Sequence, residues 1–254
     1  MAQDQYFEVS GVTKNFGGLS ALRQVNFNIE QGRITSLIGP NGAGKTTLFN
    51  VITGVLSPDG GEIYFKGQKI TGWPSFKIVS RGVARTFQDL RLFHKLTALQ
   101  NVLLGFQDRQ GERLFQALLG GRALTQEEKQ DLTKAQHLLR LVELETKSEE
   151  RVENLSHGEQ KLLSLARVLA TDAELLMLDE PTSGLPLGEV DRMLELIQDL
   201  AKKGKTIFIV EHNMEAVMGV SNRVIVLNFG ELIASGTPQE IQVNQDVIRV
   251  YLGI

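Results

Sequence analysis

Gly39-Pro40-Asn41-Gly42-Ala43-Gly44-Lys45-Thr46 is the stretch that decides the fold, because it matches the pattern G-x-x-x-x-G-K-[ST]. The apolar run Ile34–Ile38 precedes it and the run Thr47–Ile52 follows, which predicts a strand, a loop and a helix. Glycines let backbone N–H groups turn inward around an anion, and the helix N-terminus adds partial positive charge. Lys45 brings a cation to the β- and γ-phosphates of a nucleotide, and Thr46 offers a hydroxyl to Mg²⁺. We therefore predict that the nucleotide is bound by Gly39, Pro40, Asn41, Gly42, Ala43, Gly44, Lys45, Thr46 and Thr47.

Short β-rich runs and helical runs alternate on either side of this loop. Strands are predicted at Tyr6–Val9, Val25–Ile29, Ile34–Ile38, Glu62–Phe65, Leu175–Leu178, Thr206–Val210 and Arg223–Leu227. Helices are predicted at Thr47–Gly54, Gln126–Leu144, Gly158–Leu169, Gly188–Ala201 and Asn213–Val220. The alternation predicts an α/β fold with a mostly parallel sheet. Residues from about 90 to 170 are rich in Leu, Gln and Glu, which indicates an inserted helical subdomain.

Composition narrows the function classes. The chain has 254 residues, 42% of them hydrophobic and 22% charged, as expected of a globular protein. The absence of Cys excludes disulfides, thiolate metal sites and a cysteine nucleophile. A net charge of −3 gives no support to nucleic-acid binding by charge alone. Neither a membrane-spanning run nor a signal peptide is apparent, so we expect a cytoplasmic location, with a membrane partner still possible.

A second acidic element follows the apolar run Leu175–Leu178, where Asp179 and Glu180 end a buried strand. Ligands bind at this end of a parallel sheet. We assign Asp179 to Mg²⁺ and Glu180 to the water that attacks the γ-phosphate. An ordinary acidic turn is the alternative, which the phosphate loop makes less favourable. His212 ends another strand, and two roles are open for it: contact with the γ-phosphate or orientation of Glu180.

Leu155-Ser156-His157-Gly158-Glu159-Gln160 lies between these elements and has the form Leu-Ser-x-Gly-x-Gln. With the phosphate loop, the acidic strand and His212 in this order, the chain resembles the ATPase subunits of ABC transporters over residues 6–254. The resemblance implies one ABC ATPase domain: a P-loop NTPase core (1–88 and 161–254) with a mostly parallel sheet and an N-terminal antiparallel β portion. A helical subdomain at about 89–160 carries the signature segment.

The resemblance also assigns roles to single residues. Phe16 lies where the family stacks an aromatic ring on adenine, with a buried core residue as the alternative. Gln88 lies where the family contacts Mg²⁺ and joins the core to the helical subdomain, although by itself it reads as an exposed polar residue. The metal set is then Thr46, Gln88 and Asp179, and the catalytic pair is Glu180 and His212.

Partners follow from the same resemblance. Ser156 and Gly158 match residues that contact the γ-phosphate of ATP bound by another copy. ATP would then join two ATPase chains, either two copies or this chain and a relative, and drive separate transmembrane permease subunits. A periplasmic or extracellular binding protein would take part indirectly, with the ATPase at the cytoplasmic face of the inner membrane. Pro186 departs from the family, which normally has Asp there, so we expect altered communication between the two ATP sites.

Three stretches, Phe16–Leu22, Arg85–Phe93 and Asp246–Gly253, look like the bacterial branched-chain amino acid import ATPases. They imply an importer of branched-chain or other neutral amino acids, with urea, amides or other polar cargo left open. A soluble ABC protein acting on ribosomes or DNA is a rival, although the chain has one cassette and no basic arm. A small-molecule kinase is the other rival, but it would not need the signature segment. A purely structural role is the last alternative.

Overall fold

The structure is a computed structural model that describes residues 6–106 and 124–252. Its strands are β1 (Phe7–Phe16), β2 (Leu19–Ile29), β3 (Ile34–Ile38), β4 (Gly60–Phe65), β5 (Gln68–Lys69), β6 (Val83–Arg85), β7 (Leu175–Asp179), β8 (Thr206–Val210), β9 (Arg223–Asn228) and β10 (Glu231–Gly236). Its α-helices are α1 (Lys45–Ile52), α2 (Ser75–Ser80), α3 (Ala98–Leu103), α4 (Gln126–Leu141), α5 (His157–Leu169), α6 (Leu187–Lys202), α7 (Met214–Val220), α8 (Pro238–Gln242) and α9 (Gln245–Leu252). None of the helices in these two ranges combines the length and the apolar character needed to cross a bilayer.

Two sheets form the framework. The N-terminal sheet has the order β2-β1-β4-β5 and is antiparallel, and the larger sheet has the order β10-β9-β3-β8-β7-β6. In the larger sheet only the β9–β10 pair is antiparallel. The predicted α/β class, with its parallel core sheet and antiparallel N-terminal portion, is therefore confirmed.

Alternation along β7 shows how the core is divided. Leu175 and Met177 pack toward α1 and the antiparallel sheet, whereas Leu176 and Leu178 pack toward α5 and the helices of the insertion. Successive side chains of a strand point to opposite faces, so a continuous apolar run buries both faces of the sheet. Asp179, the polar residue of the strand, lies at its C-terminal end, next to the candidate site.

The main differences from the sequence prediction lie at strand ends. β1 continues to Phe16 rather than ending at Val9, because a register shift between Val9 and Val12 lets its pairing with β2 go on past Gly11. β2 begins at Leu19 rather than Val25. Gly11 has a φ of 60°, as residues at bulges often do. α4 ends at Leu141 rather than Leu144, and Glu143 then adopts a φ of 56°.

Several short elements have no counterpart in the prediction. These are β5, β6, β10, α2, α3, α8 and α9. Among them, β5 and β6 have two and three residues, too few for a measurable periodicity, and they form by pairing with β4 and β7. β6 matters most, because it places Arg85 beside the end of β7.

A buried ion pair joins these elements below the site. Arg85 Nη2 lies 2.7 Å from Asp179 Oδ2, and the two side chains are 6% and 3% exposed. Arg85 Nη1 also donates to Asn50 Oδ1 at 2.6 Å, which ties the pair to α1. The guanidinium lies 4.9 Å from the ring centroid of Phe87. β6, β7, α1 and the segment after β6 therefore meet at one buried charge pair.

We expect Arg85→Met to lower the free energy of unfolding by about 3–5 kcal/mol, because it leaves the Asp179 carboxylate buried without its cation. Denaturant unfolding of the nucleotide-free protein measures the change, with the exposed Arg81→Met as the matched control.

The double variant Arg85→Met/Asp179→Leu should recover most of that loss, because no buried charge is left unpaired. A double variant as unstable as Arg85→Met would contradict the charge argument and assign the loss to the bonds with α1.

Candidate nucleotide-binding site

The phosphate loop connects β3 to α1, as its sequence predicts. Two of its glycines are required by close backbone packing. A Cβ on Gly39, whose φ is 152°, would lie 2.0 Å from the carbonyl oxygen of Leu227. A Cβ on Gly44, whose φ is 103°, would lie 2.6 Å from the carbonyl oxygen of Ala21. Gly44 is also the N-cap of α1 and has no side chain to bond the first helical N–H groups, which leaves them for an anion.

Lys45 bends across the loop that it follows. Its Nζ donates to the carbonyl oxygens of Gly39 at 2.6 Å and Pro40 at 3.0 Å. Burial lowers the pKa of Lys45, while the carboxylates of Glu180 and Asp179 act in the opposite direction. The ammonium therefore stays next to the concave side of the loop, where phosphates would lie.

A cleft of about 480 Å³ opens over the loop. Its lining includes the predicted residues Phe16, Asn41, Gly42, Ala43, Gly44, Lys45, Thr46, Thr47, Gln88, Glu180 and His212. Phe16 ends β1 and is 47% exposed, with Lys14 Nζ 5.6 Å from its ring centroid. The alternative that Phe16 belongs to the core is therefore wrong, and its ring face is available to a planar ligand.

Three predicted residues meet at the Glu180 side chain. His212 Nε2 lies 2.6 Å from Glu180 Oε1, and Gln88 Nε2 donates to Glu180 Oε2 at 3.2 Å. The backbone of Glu180 has a φ of 48°, which is uncommon for a residue other than glycine. Strained conformations of this kind cluster at functional sites. Of the two roles open for His212, this geometry favours the orientation of Glu180.

Asp179 lies one residue before Glu180 and is buried below the cleft. Its backbone N–H donates to Thr86 Oγ1 at 3.0 Å, and its Oδ2 accepts from Arg85. Arg85 thus fixes the carboxylate of Asp179 and Thr86 fixes its backbone, and both residues belong to the segment that leads to Gln88.

The signature segment Leu155–Gln160 forms the start of α5. Ser156 is its N-cap: the Ser156 hydroxyl accepts from the backbone N–H of Glu159, and the Glu159 carboxylate accepts from the backbone N–H of Ser156. This capping box makes the helix begin at His157, one residue before the predicted start.

Other residues of the segment fix how the helix sits. Leu155 is buried, and Gln160 Nε2 donates to its carbonyl oxygen at 3.0 Å. A Cβ on Gly158 would lie 1.9 Å from a carboxylate oxygen of Glu189, the end of an exposed side chain that can move aside. No residue from 155 to 160 is among the described residues that line the cleft over the phosphate loop.

Sequence reasoning did not find Lys161, which follows the signature segment and is 7% exposed. Its Nζ donates to the carbonyl oxygens of Glu180 at 2.8 Å and Pro181 at 3.3 Å, and to Ser183 Oγ at 3.1 Å. Burial lowers the pKa of Lys161, and the carboxylates of Glu211 and Glu180 oppose this. The signal in the sequence is a basic residue beside Leu162 and Leu163, and that pattern predicts only a helix.

The loop after Glu180 is held on its other side as well. Glu211 Oε1 accepts from the backbone N–H of Thr182 at 2.8 Å and from its hydroxyl at 2.7 Å. Pro186 is the N-cap of α6, and its carbonyl oxygen accepts from the N–H groups of Glu189 and Val190. Pro186, at which this sequence differs from the pattern it otherwise resembles, therefore starts a helix where that pattern has Asp.

Known proteins that resemble this chain are nucleotide-binding transporter subunits, in agreement with the cleft over the phosphate loop. Residues 22–183 match the family model described as ABC transporter, and residues 231–254 match the model described as branched-chain amino acid ATP-binding cassette transporter. The high-affinity branched-chain amino acid transport ATP-binding protein BraF of Pseudomonas aeruginosa is 41% identical over 97% of both chains.

Solved structures agree with this match. The ADP conformation of an ATP-binding cassette of an ABC transporter superposes with a TM-score of 0.86 at 30% identity, covering 99% of this chain and 100% of that one. A dimeric bacterial ABC transporter cassette gives 0.76 at 29% identity, covering 91% of this chain and 98% of that one. The motifs, the two sheets and nearly full-length similarity thus agree, and the chain belongs to the ABC transporter family as an ATP-binding subunit.

Proposed function

We propose that the chain hydrolyses ATP to drive an importer of branched-chain or other neutral amino acids. The observation that carries the hydrolytic part is the Glu180 carboxylate, which shares a cleft with the phosphate loop and contacts His212 and Gln88. The cargo rests on the 41% identity to BraF and on the match of residues 231–254.

In the proposed reaction, Lys45, the loop N–H groups and the start of α1 bind the β- and γ-phosphates. Glu180 accepts a proton from the attacking water, whose oxygen bonds to the γ-phosphorus while the bond from that phosphorus to the bridging oxygen breaks. The products are ADP and inorganic phosphate. His212 keeps the carboxylate turned toward the cleft and acts as a positioning residue.

Mg²⁺ fits the donors that the sequence analysis assigned to it. The hydroxyl of Thr46, the amide oxygen of Gln88 and the carboxylate of Asp179 are oxygen ligands, the type that this ion prefers. Because Arg85 binds Asp179 Oδ2, we assign the other oxygen, Oδ1, to the ion or its water. When bound, the ion would neutralise charge on the phosphates.

Gln88 links this site to the rest of the chain. In the structure it donates to Glu180 Oε2, so both carboxylate oxygens have partners. We infer that Gln88 would leave Glu180 to help hold the metal when nucleotide is bound, and that Oε2 would then be free to accept from water. The segment around Gln88 would move in the same step.

The second ATPase chain completes the site in this proposal. The signature segment lies outside the cleft of its own chain, and α5 begins there. Its capping box uses the N–H groups of Ser156 and Glu159, so the N–H groups of His157 and Gly158 in the first turn are the ones we propose for an anion. The similar cassette that forms a dimer supports a partner chain, either a second copy or a related subunit. Ser156 and Gly158 would then contact the γ-phosphate held by the other chain.

A groove of about 380 Å³ is the proposed docking surface for a transmembrane permease subunit. It lies between α2 and the start of the helical region, and Phe76, Phe87 and Leu104 line it. Phe76 is 68% exposed and Leu104 is 39% exposed, and because both line one groove they present adjoining apolar surface, which marks interaction sites. Phe87 adjoins Gln88, so the groove and the site share a segment.

We place the chain at the cytoplasmic face of the inner membrane, with a binding protein as an indirect partner and no nucleic acid.

Glu180→Gln should bind ATP and fail to hydrolyse it, because an amide cannot accept the proton. Light scattering with and without Mg-ATP should then show the molar mass doubling with nucleotide.

The control is Glu180→Gln/Ser156→Arg, which should bind ATP and remain a monomer. Hydrolysis by Glu180→Gln at the wild-type rate would place the base elsewhere. An ATP-bound monomer would mean either that a related ATPase chain is the partner or that pairing requires the membrane subunits.

Lys161 provides a second test, because it fixes the backbone of Glu180. Lys161→Met should lower kcat by about tenfold to hundredfold, since small misplacements of reacting groups have effects of this size. The dissociation constant for ATP should change by less than about twofold, since Lys161 lies outside the cleft.

The exposed Lys129→Met is the matched control. Equal losses of ATP affinity and kcat in Lys161→Met would assign Lys161 to general stability rather than to positioning.

The cargo is tested on the whole transporter, isolated through a tag on this chain and reconstituted in proteoliposomes with its binding protein. We expect leucine to stimulate ATP hydrolysis and urea to have no effect. Stimulation by urea and none by leucine would reject the amino acid assignment and keep the ATPase assignment.

A further inference from the structure

The turn between β9 and β10 places an exposed aromatic residue beside the phosphate loop. Asn228 pairs with Glu231, so Phe229 and Gly230 form a two-residue turn. Their φ values are 44° and 80°. Positive φ at both central positions defines a type I′ turn, where Asn or Asp before Gly is strongly preferred.

Phe229 is therefore an unfavourable choice for the turn itself. A bulky residue in the left-handed region is a clear outlier. Burial gives no compensation, because the side chain is 74% exposed. Neither local conformation nor core packing explains a Phe at this position.

Backbone hydrogen bonds hold the turn in place. Arg23 N donates to the carbonyl oxygen of Gly230 at 2.8 Å, which joins the turn to β2. Gly230 N donates to the carbonyl oxygen of Ala43 at 2.9 Å, which joins it to the phosphate loop. A Cβ on Gly230 would lie 2.7 Å from the carbonyl oxygen of Ala21, so the packing is close. The Phe229 side chain thus projects from a fixed point beside the loop.

The residues around Phe229 suit a ligand that has a planar apolar group and a phosphate chain. Phe16, Leu19 and Phe229 all line the cleft over the loop and are 47%, 66% and 74% exposed. Phe16 and Leu19 flank the β1–β2 turn, whereas Phe229 belongs to a different hairpin. Apolar groups from two hairpins therefore border the part of the cleft next to the phosphate-binding backbone.

We propose that Phe229 is a second aromatic contact for the base of the bound nucleotide, in addition to Phe16. This inference rests on the proposed ATP site. A ring contact of this kind tolerates different bases, because every base has a π-face. It would fix the base end of the ligand while Lys45 and the loop fix the phosphates.

The test compares ATP with inorganic tripolyphosphate, which has the phosphate chain and no base. Calorimetric titration of Phe229→Asn should show ATP binding weakened by roughly tenfold, within the range of a lost base–aromatic contact. Tripolyphosphate affinity should not change. The melting temperature should stay the same or rise, because Asn is favoured in this turn.

Two further variants keep the result interpretable. Phe229→Tyr should retain ATP affinity, because it keeps the ring. Phe229→Gly, which accepts a positive φ without strain, should behave like Phe229→Asn and serves if that variant fails to fold.

Unchanged ATP affinity in Phe229→Asn, while Phe16→Ala loses affinity, would overturn the proposal and leave Phe16 as the base contact. Equal weakening of ATP and tripolyphosphate would also overturn it, because the phosphate loop itself would then be disturbed. Unchanged affinity with a weaker ATP-driven dimer would assign Phe229 to the contact between chains. If the unmodified protein binds no ATP, the proposed function fails instead.

Discussion

The ion pair between Arg85 and Asp179 is the contact on which the site depends. A carboxylate at the end of a buried strand is unstable alone, and this one is satisfied only because β6 brings a guanidinium beside it. The same guanidinium binds Asn50 on the helix after the phosphate loop. The two halves of the proposed chemistry, phosphate binding and metal binding, are thus joined by one side chain. The pair also neutralises charge that would otherwise repel the phosphates above it.

Glu180 shows how the surrounding structure maintains an unfavourable conformation. Its N–H donates to the carbonyl oxygen of Val210, its own carbonyl oxygen accepts from Lys161, and its carboxylate contacts His212 and Gln88. These partners come from three separate segments, the end of β8, the helix α5 and the residues after β6, so the left-handed backbone persists at a cost of order 1–3 kcal/mol. Because both its backbone and its carboxylate have partners, the proposed base would lose little further conformational freedom when a substrate binds.

How much could be predicted from the sequence depended on whether a local pattern carried the information. The loop at 39–46 and the apolar run before Asp179 are local, and from them the sequence predicts a cleft over the loop with an acidic residue beside it, where the structure has Glu180. Arg85, Lys161 and Phe229 act through contacts between residues far apart in the chain. Lys161 lies 19 residues from Glu180, and Arg85 lies 94 residues from Asp179. β6 is too short for periodicity, and Phe229 lies in a turn between two strands of which only β9 was predicted. No pattern within a window of the sequence reports such contacts.

Pro186 and Lys161 together bear on how two ATP sites would communicate. At position 186 the ring of Pro fixes φ and supplies no carboxylate, and the loop passes directly into α6. The side chain at position 186 therefore offers no carboxylate through which the two ATP sites would communicate. Lys161 provides a different connection within the chain, because it lies on the signature helix and contacts three oxygens of the segment from Glu180 to Ser183. A phosphate that pulled on the N-terminus of α5 would shift Lys161, and with it the carbonyl of Glu180. In the proposed dimer the signature helix would thus connect the nucleotide bound by one chain to the proposed base that acts on the other.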